Sequence, residues 1–112
     1  FQNRSYLMGD NGQEVKPIEI YPTVEGLKVK PIITIKGTGR GVWIKTRSDT
    51  IDIGDFDKSE IVIDTEQFNI TKNGKPMIRP MNDFYIYPNE PLYIQAKDST
   101  FNLTIRYPNR FL

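Results

Sequence analysis

Apolar and polar residues alternate with a period of two through most of this chain, and no apolar period of 3.6 residues breaks the pattern. The closing run is the clearest. Phe101, Leu103, Ile105 and Tyr107 fall on one face of an extended segment, and Asn102, Thr104 and Arg106 fall on the other. A chain patterned this way cannot gather its apolar side chains into a helical stripe. It has to pair strands and close layers of sheet over a core.

The alternating runs are Val15–Tyr21, Val29–Lys36, Val42–Arg47, Thr50–Ile53, Ile61–Asp64, Phe68–Thr71, Phe84–Tyr87, Leu92–Ala96 and Phe101–Tyr107. The first two both open with Val-Lys-Pro-Ile, and proline suits the first position of a strand, where a missing N–H costs little. Turns are expected at Gly37–Gly41, Asp64–Gln67, Lys72–Lys75 and Pro88–Pro91. Asn73-Gly74 fits a type I′ hairpin, because both residues tolerate positive φ. About nine short strands punctuated in this way predict an all-β, two-sheet antiparallel β-sandwich. Residues 1–14 read as an irregular lead-in or a first short strand, and residues 15–112 as a single sandwich domain. The start at Phe1 suggests a C-terminal piece of a longer chain, and no run approaches the ~20 apolar residues of a membrane-spanning helix.

The sequence contains no cysteine and no histidine. Disulfides, thiolate metal sites and every Ser-His or Cys-His nucleophile pair are thereby removed. No catalytic residue, metal or cofactor is expected. Gly37-x-Gly39-x-Gly41 has the glycine spacing of a phosphate loop, but a strand-like Val42-Trp-Ile-Lys follows where such a loop needs a helix N-terminus. It reads as a hairpin loop. Asp52, Asp55 and Asp57 offer oxygen ligands without the order of a calcium loop, and read as a solvated turn.

Charge is segregated along the chain. Lys28, Lys30, Lys36, Arg40, Lys45 and Arg47 form a basic block; Asp49, Asp52, Asp55, Asp57, Glu60, Asp64 and Glu66 follow with only Lys58 among them. A basic stripe containing Trp43 is one way to hold single-stranded nucleic acid. The net charge of +1 and the adjoining acidic block favour cross-strand ion pairing instead, and no nucleic-acid partner is expected. Trp43, Tyr85, Tyr87 and Tyr93 alternate with Val42 and Ile44, Phe84 and Ile86, Leu92 and Ile94. If the aliphatic neighbours face inward, these four aromatics face outward. They are the candidate ligand or partner surface, either stacking on sugar rings or anchoring a protein.

Several segments resemble one family. Pro31-Ile-Ile-Thr-Ile-Lys-Gly37 is similar to an early P-x-I-x-I-x-G strand, and Gly54–Thr65, ending Ile-Val-Ile-Asp-Thr, to a G-D-x-L-x-I-D-T segment with an insertion. Asn73-Gly74 and the closing Ile105-Arg-Tyr-Pro-Asn-Arg110 complete a likeness to the C-terminal, galectin-like or carbohydrate-module-like jelly-roll domain of distal tail proteins from long-tailed bacteriophages and prophages of Gram-positive hosts. Pro88-Asn-Glu-Pro91 stands where that family has a P-G-x-N turn. The resemblance implies a non-enzymatic virion component at the tail tip. A missing N-terminal domain would form a homo-hexameric ring, and this domain would dock the receptor-binding protein, a tail-associated hub protein or, in some relatives, host-surface saccharide. A carbohydrate-binding module of a secreted enzyme or adhesin is the alternative reading.

Overall fold

A computed structural model describes residues 2–9 and 18–111. Within that range the regular elements are all strands: β1 (Gln2–Gly9), β2 (Ile18–Ile20), β3 (Ile32–Lys45), β4 (Thr50–Asp64), β5 (Asn69–Lys72), β6 (Lys75–Pro76) and β7 (Leu92–Tyr107). They pair antiparallel in the order β1-β7-β3-β4-β5-β6. The short β2 joins the Leu92–Ile94 end of β7, while β1 lies along its Thr100–Tyr107 end.

Three strands of 14, 15 and 16 residues dominate. Strands this long cannot stay flat around a small core. Their registers slip at matching places, between Gly37 and Trp43 of β3 against β4 and between Thr38 and Trp43 against β7. These β-bulges bend the strands. Gly37 sits at φ 145°, and a Cβ there would lie 2.7 Å from Phe101 Cα, so only glycine lets β3 cross β7 this closely. At Gly39 a Cβ would meet the Phe56 ring and Val42 Cγ2 at 2.6 Å.

Side chains replace the ladder bonds that the bulges break. The Arg40 N–H donates to Ser99 Oγ at 3.0 Å, the Gly41 N–H to Asp55 Oδ1 at 2.7 Å, and the Lys58 N–H to Thr38 Oγ1 at 3.1 Å. Arg40 Nη1 donates to the carbonyls of Gly39 and Phe56, and its Nη2 pairs with Asp57 at 2.6 Å.

Bent at these points, the sheet doubles over into a sandwich whose two halves share three strands. Ile33, Ile35, Ile61, Ile63, Leu103 and Ile105 from one half and Val42, Ile44, Ile51, Ile53, Leu92 and Ile94 from the other join a single buried cluster. The shortest dimension, 21 Å, suits two layers about 10 Å apart with their outer side chains. Phe56 and Phe101 meet at the bend with ring centroids 5.9 Å apart. Tyr107 is fully buried and its hydroxyl donates to the Thr23 carbonyl at 2.8 Å, which satisfies its one polar atom. Among the described residues no buried side-chain polar atom lacks a partner.

The sandwich class and the inward phase of the closing strand agree with the sequence pattern, but the strand divisions do not. Gly37–Gly41 is a bulged stretch inside β3 and not a hairpin loop, and Asp52–Asp57 lies inside β4 and not in a turn. Leu92–Ala96 and Phe101–Tyr107 are likewise one strand. Residues 2–9, left open between strand and lead-in, pair with β7 as a strand. Phe84–Tyr87 is held to Val29 by a single bridge at Ile86. Of the expected strand Val15–Tyr21, residues 15–17 lie outside the described residues. The Asn73-Gly74 turn forms as expected, with φ of 53° and 82°.

Candidate functional site

The four aromatics marked by the sequence do not form one surface. Trp43 and Tyr93 project from adjacent strands on the outer face of the half built from β2 and the adjoining ends of β3, β4 and β7. In that face Trp43 lies between Asp52 of β4 and Gln95 of β7, and the next row runs Thr50, Lys45, Tyr93, Glu19. Trp43 and Tyr93 are half-buried while Ile44, Leu92 and Ile94 beneath them are fully buried, so the rings stand on a packed floor. Tyr21, one residue past β2, is 58% exposed and its hydroxyl donates to Glu19 Oε2 at 3.3 Å. The Glu19 charge above all holds this phenol above its ordinary range, and Tyr93 adds to the effect. Trp43, Lys45, Thr50 and Asp52 line a shallow depression of about 250 Å³.

Tyr85 and Tyr87 belong to a different place. Their segment is pinned on one side by Val29, through paired backbone bonds of 3.0 and 2.9 Å with Ile86, and on the other by Ser48, whose Oγ accepts from the Tyr85 N–H at 2.9 Å. Cations cover both rings. Lys28 Nζ lies 4.2 Å and Lys30 Nζ 5.4 Å from the Tyr85 centroid, and the Arg47 guanidinium lies 4.1 Å from that of Tyr87. The two rings are tilted at 6.3 Å from one another. Tyr87 is only 9% exposed, which corrects the expectation that all four aromatics stand outward: Arg47 lies over its ring. Arg47 also pairs with Glu90 at 3.1 Å and Lys30 with Asp83 at 2.9 Å. The Asp83 bond is the main reason the Lys30 ammonium holds its proton more tightly than usual, against the opposing effect of desolvation. A groove of about 610 Å³ runs here between Gly26, Leu27, Lys28, Arg47, Tyr85, Tyr87, Pro88 and Glu90.

Part of the remaining charge pattern is matched across strands. Lys36 stands opposite Glu60 in the β3–β4 register, and Arg40 is tied to Asp57. Within the basic block, Lys36 and Arg40 thus meet acids of the neighbouring β4, while Lys30 and Arg47 pair with Asp83 and Glu90 outside the strands. Asp52, Asp55 and Asp57 do not converge: Asp52 lies in the row of Trp43, Asp55 takes a backbone N–H, and Asp57 holds Arg40. Among the described residues no group of three or more acidic side chains is placed to hold a metal ion.

Sequence reasoning missed Tyr21, although its phase, two residues beyond Glu19 and out of step with Ile18 and Ile20, carries the same outward signal as Tyr93. It also missed that Lys28, Lys30 and Arg47 cap tyrosine rings. No family model, no curated protein and no solved structure matches this chain.

Proposed function

We propose that this chain is a non-enzymatic binding domain of a phage tail-tip hub, a distal tail protein, and that it docks an adhesion component such as the receptor-binding protein. The tail context is supported by the motif segments quoted above, Pro31–Gly37, Gly54–Thr65 and Ile105–Arg110. The docking role is supported by one observation in particular, the groove in which Tyr85, Tyr87 and Arg47 meet the exposed Leu27. Tyrosine and arginine are the residue types that dominate binding energy at the centres of protein interfaces. The cation–π contacts hold these side chains in place before a partner arrives, which lowers the ordering cost of association.

The tail-tip position is tested by labelling virions with an antibody raised against this domain. Labelling confined to the tail tip is expected; labelling of the capsid, or a parent chain that proves to be a hydrolase, contradicts the proposal. The docking role is tested by co-elution of the parent chain with the receptor-binding protein from the same tail. Arg47→Ala and Tyr85→Ala are each expected to weaken it by about tenfold or more. Association that neither variant changes would assign docking to another face.

A further inference from the structure

The outer face that carries Trp43 is unlike the groove at Tyr85, and the difference points to a second ligand. The strand register fixes the layout. Trp43 stands in the row of Asp52 and Gln95; Tyr93 stands on the neighbouring strand one row further along; Tyr21 follows one row beyond that, past the end of β2. The three aromatics therefore form a diagonal line across three neighbouring strands. With strands about 4.8 Å apart and same-face residues about 7 Å apart along a strand, each step is about 8 Å. Among the described residues, no cation lies over these three rings and no other ring packs on them; the cation–π and ring contacts belong to Phe56, Phe68, Tyr85, Tyr87 and Phe101.

We infer that this diagonal is a stacking platform for a neutral saccharide chain, with Trp43, Tyr93 and Tyr21 as successive ring-stacking positions. The apolar face of a pyranose packs on an aromatic ring, while its hydroxyls need polar groups at the ring's margin. Here Asp52 and Gln95 flank Trp43, and Lys45 and Glu19 flank Tyr93. These groups offer both donors and acceptors, as a sugar hydroxyl requires. Charge sets the class of sugar. Glu19 and Asp52 offset Lys45 and Lys97 on this face, and Arg47 beyond Lys45 is paired with Glu90, so no net local charge draws phosphate-bearing or uronic-acid chains and neutral ones fit best. Stacking on rigid strands also needs no rearrangement before binding. The tail-tip reading is not required for this site, whose three rings are none of those lining the Tyr85 groove.

Affinity electrophoresis of the wild-type domain through gels containing neutral polysaccharides (mixed-linkage β-glucan, xylan, galactomannan), alongside a glycan array, tests it. At least one neutral saccharide is expected to retard the wild type, with little dependence on salt. Trp43→Ala and Tyr93→Ala should each weaken that binding by about tenfold. Tyr21→Ala should weaken it less, and Tyr85→Ala should leave it unchanged. The inference is overturned if no neutral saccharide binds, if acidic saccharides alone bind, or if Tyr85→Ala abolishes binding that Trp43→Ala spares. A folded Trp43→Phe variant that retains binding separates loss of stacking from loss of fold. Failure here leaves the docking proposal standing, since that rests on Arg47 and Tyr85.

Discussion

Trp43 and Tyr85 occupy the same phase of their respective segments, between buried aliphatic or aromatic neighbours, yet they end in opposite situations. Trp43 stands within β3 beside Asp52 and Gln95, and among the described residues no cation lies over its ring. Tyr85 stands on a segment held by one backbone bridge to Val29 and by the Ser48 hydroxyl, and two lysines from the 28–30 segment close over it. An outward phase thus fixes only which way a ring points. What the ring can bind is decided by residues far away in sequence that reach over it or leave it open.

The contrast breaks most readily from underneath. Phe84 and Ile44 are both fully buried, one beneath each face. Phe84→Ala is expected to cost about 3–5 kcal/mol and Ile44→Ala about 2–5 kcal/mol in urea unfolding, because each leaves a cavity in a packed core. A loss under 1 kcal/mol at either would mean that its face does not rest on the core as described.

A second, smaller effect separates the rings themselves. Tyr85→Ala removes ring contacts to Lys28 and Lys30, each worth about 0.5–1 kcal/mol at an exposed site, so about 1–2 kcal/mol of stability should be lost. Trp43→Ala, with no such contacts to lose, is expected to cost under about 1.5 kcal/mol. Equal losses would erase the distinction between the two faces.

Ionisation sharpens the comparison further. Lys30 holds its proton above the ordinary 10.5 chiefly through Asp83. A raised lysine contributes its stabilisation fully below the unfolded-state value and loses it as pH rises through the folded one, so stability should fall in that alkaline window and Asp83→Asn should remove the fall. A wild-type unfolding midpoint that stays level there would contradict the pairing. The smallest expected effect is at Tyr21. Its phenol titrates above 10.0 because of Glu19, and Glu19→Gln should bring it down, as read from ring carbon shifts in NMR, with no measurable change in stability. An unmoved Tyr21 titration would place Glu19 elsewhere.

Much of the sandwich was legible from alternation alone. Phe101, Leu103, Ile105 and Tyr107 are all buried, as are Val42, Ile44, Leu92 and Ile94. The long strands were not legible, because the residues that make a bulge, Gly37, Gly39 and Gly41 in β3 and Gly54 with Asp55 and Asp57 in β4, are the residues that make a turn. Only the partner strands distinguish the two, and β7, which meets β3 at Arg40↔Lys97, lies far along the chain. Residues 2–9 are a strand for the same kind of reason: β7 supplies a free edge that the polar sequence does not advertise. In the candidate site, phase alone located Trp43 and Tyr93. It could not reveal the caps on Tyr85 and Tyr87, since Lys28 and Lys30 precede β3 and Arg47 lies between β3 and β4, all far in sequence from the rings they cover.

Trp43 is the single tryptophan of the sequence, so intrinsic fluorescence reports on the open face with no background from another indole. The most direct test is to titrate the wild-type domain with the neutral polysaccharide panel while following tryptophan emission and its quenching by acrylamide. A blue shift and protection from acrylamide, saturating with a binding polysaccharide, are predicted. Emission and quenching that stay unchanged across the whole panel would contradict the platform.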